Sequence, residues 1–351
     1  MKKLTDNVRL ISIGYDNSMG FIRYWLATAV IIAHFNVIYG SSFYFPISSY
    51  DAVGAFFALS GFLIFGSYLK HDNLGKYLLG RARRILPPYF LIILVCAFSL
   101  VTISTLTVGE YFSNPQFWRY LVSNLFFLNF LQPTLPGVFI TSPEPAVDAS
   151  LWTMKVEITL YLSVPVIVAI LSWIRAKSVK ISLNSWLIII YVISCLYRCG
   201  FTILYDITGR EIYNILGRQF LGQLMYFYSG VLVYMNFRIF KKYRIYILIL
   251  SAIIFIVGKH IPYYAITLGP FVIALLTLSC SFFSGWIRCF NFNNVSYEMY
   301  LFHFPVINTL HHFYPTGNIY ILLIISLILV YIFSCLSWFL VDKRFLPKRF
   351  V

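Results

Sequence analysis

Between Phe21 and Val341 the chain is a succession of apolar runs, most of them close to the length that crosses a lipid bilayer. A span needs about 20 mainly apolar residues. Ten candidates follow one another, at 21–40, 52–69, 85–107, 150–174, 185–205, 214–235, 245–258, 260–283, 292–311 and 318–341. The seventh is short, and its turn into the eighth rests on the stretch from Gly258 to Pro262. Composition agrees with this reading. Hydrophobic residues make up 60% and charged residues 11% of the chain, with a mean hydropathy of +0.80. A soluble domain carries about 25% charged residues, and a surplus of apolar surface this large has to face lipid. We expect an all-α polytopic membrane helix bundle of about ten transmembrane helices, with residues 1–351 as one membrane domain and no appended soluble domain. No short apolar segment with a small-residue cleavage site stands apart at the N-terminus, so no signal peptide is expected.

The basic residues orient the bundle. With the N-terminus inside, the cytoplasmic segments hold Lys2, Lys3, Arg9, Lys70, Lys76, Arg81, Arg83, Arg84, Arg175, Lys177, Lys180, Arg238, Lys241, Lys242, Arg244, Arg288, Lys343, Arg344, Lys348 and Arg349. The outer segments hold Arg119, Arg198, Arg210 and Lys259, and Arg23, Lys155 and Arg218 fall inside spans. Twenty against four places both termini in the cytoplasm. The same clustering between apolar runs explains the net charge of +15 without nucleic acid as a partner.

The longest connection, 108–149, is an outer loop with Pro115, Pro133, Pro136-Gly137 and Pro143-Glu144-Pro145. Within it, 117–131 is apolar enough for a re-entrant or interfacial helix. The six cysteines, Cys96, Cys195, Cys199, Cys280, Cys289 and Cys335, form no CxxC pair and lie mostly in apolar runs. They read as small buried hydrophobes, with no disulfide framework and no metal site expected.

An ionisable side chain in hydrocarbon costs about 2.5–3.5 kcal/mol on insertion scales, so each one needs a reason. Arg23 and His34 in the first span are eleven residues apart, which at 100° per residue returns the chain to within about 20° of the same face, about 16 Å further along. Snorkelling would account for Arg23 alone, and a hydrogen bond to a neighbouring helix for His34 alone. A shared face suggests a common task, and a histidine can take the proton of a hydroxyl. Ser60 and Gly61 in the second span permit close approach of a helix or a ligand. Arg81, Arg83 and Arg84 precede Pro87-Pro88, and arginine is the fork best matched to phosphate; the prolines are expected to shape the turn into the third span. In the fourth span Glu157 and Tyr161 are four apart and share a face. In the ninth, Tyr300 and His303 are three apart.

These segments, in this order, resemble the membrane-bound acyltransferase 3 family. The matching features are Arg23 with His34; Leu59-Ser60-Gly61-Phe62; Arg81, Arg84 and Pro87; Ser150-Leu151-Trp152-Thr153 through Val156-Glu157 with Tyr161; and Ser296-Tyr297 through Tyr300-Leu301-Phe302-His303-Phe304-Pro305. They extend from 23 to 305. Family members usually carry two successive acidic residues where this chain has Glu157-Ile158, Lys155 is unusual beside them, and the esterase-like domain of the longer members is absent.

The resemblance implies an O-acyltransferase of a bacterial inner membrane. It would move an acyl group, acetyl first among them, from acyl-CoA to a hydroxyl of a cell-surface polysaccharide or its lipid-linked precursor. Acetyl-CoA would be a co-substrate, with no permanently bound cofactor. From the topology, with acyl-CoA on the cytoplasmic side, we expect His34, Arg23 and Glu157 as catalytic residues and His34 as general base. Arg81, Arg84, Ser60 and Gly61 would bind the donor, and Trp152, Tyr161, Tyr300 and His303 would bind the acceptor or support the site. The rival reading is an exporter or flippase of polysaccharide or lipid-linked sugar, although no internal repeat of the kind many transporters show is detectable.

Overall fold

A computed structural model describes residues 10–11, 17–71, 73–176, 181–283 and 294–345. Lys2, Lys3, Arg9, Lys177, Lys180, Arg288, Cys289, Lys348 and Arg349 lie outside the described residues, as does the side chain of Arg175. Among the described residues the regular structure is helical throughout. In chain order the helices are α1 (Met19–Tyr39), α2 (Ser49–Lys70), α3 (Leu74–Ser99), α4 (Val108–Ser113), α5 (Pro115–Leu125), α6 (Trp152–Ala176), α7 (Leu183–Thr208), α8 (Glu211–Gly217), α9 (Phe220–Met235), α10 (Phe237–Gly258), α11 (Gly269–Ser281), α12 (Ser296–Phe313) and α13 (Ile319–Ser337).

Every one of the ten candidate segments is occupied by a helix. Among the described residues, six helices are long and apolar enough to cross a membrane: α1, α2, α3 with its 3-10 extension, α6, α7, and α13 with the turns that follow it. The remaining candidates correspond to α9, α10, α11 and α12.

Several boundaries differ from expectation, for physical reasons. Helix α3 starts at Leu74 and runs through Pro87 and Pro88, so the arginines sit on the helix and the prolines inside it. Proline removes an amide donor and its ring crowds the preceding turn; here the helix nonetheless continues through both residues. The basic residues Arg238 to Arg244 lie in the first turns of α10, which makes the seventh helix long. The eighth is short, because residues 259–268 form turns and a 3-10 segment before α11. The sixth candidate is divided at Arg218 and Gln219 into α8 and α9. Arg198, expected outside, lies within α7 and is buried.

The chain divides into two compact units, each built from non-contiguous segments. The first takes residues up to Ile22, Tyr50–Tyr77 and Val156–Cys289. In it α2 packs against α9 through glycines. A Cβ on Gly61 would meet the Phe227 carbonyl oxygen at 1.9 Å, and one on Gly230 would meet the Ala58 oxygen at 2.0 Å. Gly54 and Gly66 receive the rings of Tyr226 and Tyr234 in the same way. Small residues let backbones approach where lipid supplies no hydrophobic force between helices.

The second unit takes Arg23–Ser49, Leu78–Lys155 and Phe290–Val351. In it α12 packs on α13, whose buried stripe is Leu322, Ser326, Val330, Ser334 and Ser337. A π-helical turn over Trp338–Asp342 extends α13. The 108–149 connection is ordered here. Thr107 and Glu110 form a capping box at α4, and Asn114 with Pro115 starts α5. Helix α5 buries Phe117, Tyr120 and Leu121 and exposes Trp118 and Val122, followed by exposed Phe126 and Phe130. An apolar stripe left outward on a short helix is the pattern of an interfacial segment.

Candidate active site

In the second unit α1 and α12 bring two histidines together. His34 Nδ1 lies 2.7 Å from His303 Nε2, and His303 Nδ1 lies 2.7 Å from the Tyr300 carbonyl oxygen. A carbonyl can only accept, so His303 Nδ1 carries the proton and donates it. In a neutral His303 the Nε2 atom is then the acceptor, and His34 Nδ1–H must be the donor to it. That leaves His34 Nε2 with its lone pair available. The tautomers follow from the hydrogen bonds, and the result is a histidine oriented by a second histidine, itself held by backbone. His303 is fully buried, while His34 is partly exposed. The Phe304 ring packs edge-on against His34, with centroids 5.1 Å apart.

Around this pair a polar network joins the start of α6 to α12. Thr153 Oγ1 donates to Tyr300 Oη at 2.9 Å. Ser150 Oγ donates to Asp148 Oδ1 at 2.6 Å, and the Ser150 amide to the same oxygen at 2.9 Å. Asp148 is buried, and burial pushes its pKa up from 3.8 to about 7 although the Ser150 bonds oppose the rise. Asn308 of α12 fixes the incoming loop: its Nδ2 donates to the Glu144 and Ala146 carbonyls, and its Oδ1 accepts from Ser142 Oγ. Trp152 opens α6 and is half-buried. Lys155 rests its ammonium 4.7 Å from the centre of the Phe130 ring, which accounts for a cation beside this motif.

The arginines of this unit meet buried carboxyls. Arg81 and Arg84 are partly buried, whereas Arg83 is exposed. Arg84 Nη1 lies 4.0 Å from Glu298 Oε1, and its guanidinium stands 5.8 Å over the Tyr297 ring. Arg23 also acts electrostatically on Glu298, as does Asp342 of the π turn. Glu298 and Asp342 are fully buried. The Tyr297 hydroxyl donates to the Ile85 carbonyl at 3.2 Å, tying α12 to α3 just before its two prolines.

The first unit holds the remaining candidates. Tyr161 Oη donates to Glu157 Oε1, stands 3.5 Å from Ser60 Oγ, and its backbone carbonyl accepts from Tyr77 Oη at 2.8 Å. Gly61 faces the α9 backbone, and its lack of a side chain serves that packing.

The structure therefore gathers His34, His303 and Tyr300, with Arg23 and Arg84 at Glu298, within one unit, and Ser60, Glu157 and Tyr161 within the other. Sequence reasoning assigned no role to Asp148, Glu298, Asn308 or Asp342. The burial cost that singled out Glu157 applies equally to Glu298, inside the quoted ninth-span motif, and to Asp342, the acidic residue beside the last apolar run. Asp148 and Asn308 carried no comparable signal, because their burial depends on how the 108–149 connection folds.

A family model described as an acyltransferase domain matches residues 16–342. The chain is 28% identical over 348 residues to an O-acetyl transferase of Shigella phage Sf6, covering 95% of this chain and 97% of that protein. It is 26% identical over 190 residues to Nodulation protein 10 of Rhizobium leguminosarum bv. viciae, covering 50% and 51% respectively. No solved structure gives a significant match.

Proposed function

Since the chain belongs to the acyltransferase family whose model spans residues 16–342, and is a multi-pass membrane O-acyltransferase, we propose that it carries an acetyl group from acetyl-CoA to a hydroxyl of a cell-surface polysaccharide or its lipid-linked precursor, at the bacterial inner membrane. The observation that carries the chemistry is the His34–His303–Tyr300 chain, which leaves His34 Nε2 as a free base. The acceptor hydroxyl gives its proton to His34 Nε2 as its oxygen attacks the thioester carbonyl. The C–S bond breaks, and His34 returns the proton to the departing thiolate of CoA. His303 orients the imidazole and shares the charge that forms on it. Direct transfer suits the site because no cysteine stands in the motifs beside His34. Arg81 and Arg84, with Arg23, supply positive charge for the phosphates of the donor, and Glu298 holds Arg84 in place. Glu157 with Tyr161 and Ser60 forms the second polar cluster available to substrates. Membership of the family leaves the exporter reading without a supporting observation.

The test is incubation of membranes with radiolabelled acetyl-CoA and candidate glycans, followed by release of label with mild alkali. Wild type should label a glycan. His34→Gln should reduce labelling by about 10²–10⁴-fold, the usual worth of a general base, because glutamine can hydrogen-bond but cannot take the proton. Full activity in His34→Gln would remove His34 from the chemistry.

A further inference from the structure

A small cavity in the first unit touches none of the residues assigned above. Its volume is about 180 Å³, and its lining includes Asp51 at the start of α2 and Lys259, Tyr263 and Tyr264 of the α10–α11 connection. An engineered cavity of about 150 Å³ holds one benzene molecule, so this one has room for a single six-membered ring.

Three features distinguish it from a packing defect. Tyr263 has φ of +58°, a left-handed conformation that tyrosine rarely adopts, yet the residue is 49% exposed and lines the cavity. Strain that holds an exposed aromatic in place points to use of that aromatic. Tyr264 is buried, with its ring packed so tightly on Gly258 that a Cβ there would lie 2.4 Å from it. Its hydroxyl nevertheless makes no hydrogen bond, although buried hydroxyls normally have a partner. Arg198 of α7 is outside the lining but shares with the lining residue Asp51 an electrostatic influence on Tyr226. It is 6% exposed, stands 5.3 Å over the Tyr50 ring, and keeps one buried guanidinium nitrogen without a hydrogen-bond partner. Arg198 and Asp51 both act electrostatically on Tyr226, whose ring meets Tyr50 edge-on.

We propose that this cavity is a subsite for one sugar ring of the acceptor, a role that rests on the acyltransfer reading. A pyranose offers an apolar face of C–H bonds and a rim of hydroxyls. Tyr263 supplies a flat apolar surface with a polar tip. The Asp51 carboxylate accepts from sugar hydroxyls, the Tyr264 hydroxyl can donate or accept, and Lys259 donates. A few polar groups placed around an otherwise apolar lining are what orient a small ligand. The charge distribution in the sequence assigns Asp51, just before the second span, and Lys259, between the seventh and eighth, to the outer face. That is where a surface polysaccharide or the sugar of a lipid-linked precursor would be met.

The test uses the full chain in detergent with two independent readouts. Saturation-transfer NMR with a panel of methyl hexopyranosides should show ring-proton signals in wild type that are lost in Asp51→Asn and in Tyr263→Gly. In the acetylation assay both variants should raise the acceptor KM by about tenfold, the worth of one stacking or hydrogen-bonding partner, with the acetyl-CoA KM unmoved. Glycine tolerates positive φ, so Tyr263→Gly should also raise Tm, which separates lost binding from lost folding. Variants that keep the acceptor KM of wild type overturn the subsite while leaving acyl transfer intact. If wild type acetylates no glycan, the acyltransfer reading fails, and the NMR result alone decides the cavity: no signal, or one that persists in both variants, rejects it.

Discussion

At the scale of single residues, the proposed chemistry hangs on proton positions that backbone geometry dictates. The Tyr300 carbonyl sets the tautomer of His303, and His303 sets that of His34. His303→Ala should therefore lower kcat through loss of orientation, by less than His34→Ala does, and leave the acetyl-CoA KM near its wild-type value. A kinetic comparison in which His303→Ala is inactive and His34→Gln active would move the base to α12. Asp148 makes a separate prediction. In the unfolded chain it titrates near 3.8, and in the folded protein burial raises this to about 7. Below both values each state is protonated. Between them the unfolded state gives up its proton and the folded state does not, so stability falls as pH rises from about 4 to about 7, then levels off. Melting curves of purified protein across that window should show the decline, and Asp148→Asn, which still accepts from Ser150, should flatten it.

At the scale of helices, close packing and interrupted hydrogen bonding matter more than apolar periodicity. Gly61 lies against backbone, so a methyl group there cannot be relieved by a side-chain rotation. Gly61→Ala should destabilise by about 1–3 kcal/mol, the usual cost of overpacking. Gly80, in α3, has open space around it, and Gly80→Ala should stabilise by about 0.4–1 kcal/mol. Opposite signs in the two melting shifts would support the α2–α9 packing; equal shifts would dismiss it. Helix α3 shows why a pair of prolines is a poor guide to a helix end in a membrane. A segment in hydrocarbon has no water to turn to, so its backbone favours remaining helical.

At the scale of the whole molecule, the fold class was legible because hydrocarbon admits so few solutions. Once a run must cross lipid, its backbone must bond to itself, and a helix follows. The distribution of basic residues predicts that both termini are inside, so reporter tags at either end should resist external protease in intact cells. Cleavage of a C-terminal tag from outside would reject that orientation. The basic count puts Arg198 with the outer segments although the fifth apolar run, 185–205, contains it; its burial over Tyr50 is a tertiary arrangement. The lengths of α10 and α11 were misread for a related cause. Cations can occupy the first turns of a helix at the interface: Arg238, Lys241 and Lys242 are exposed, and Arg244 donates to the Phe282 carbonyl.

What the amino-acid sequence determined by itself was the all-α membrane architecture, the approximate position of the helices, and the shared face of Arg23 and His34, because hydropathy and helical pitch act locally. It also marked His303, Tyr300 and Glu157 as polar groups needing a reason. Only the tertiary structure decided which of them meet. The 2.7 Å contact between His34 and His303 joins residues 269 positions apart, and the Arg84–Glu298 pair joins two different helices. The burial of Asp148 and the cavity at Tyr263 likewise depend on connections whose course no local periodicity specifies. Helices form from interactions four residues apart, whereas a site forms wherever packing brings distant faces together, and that packing is a property of all the helices at once.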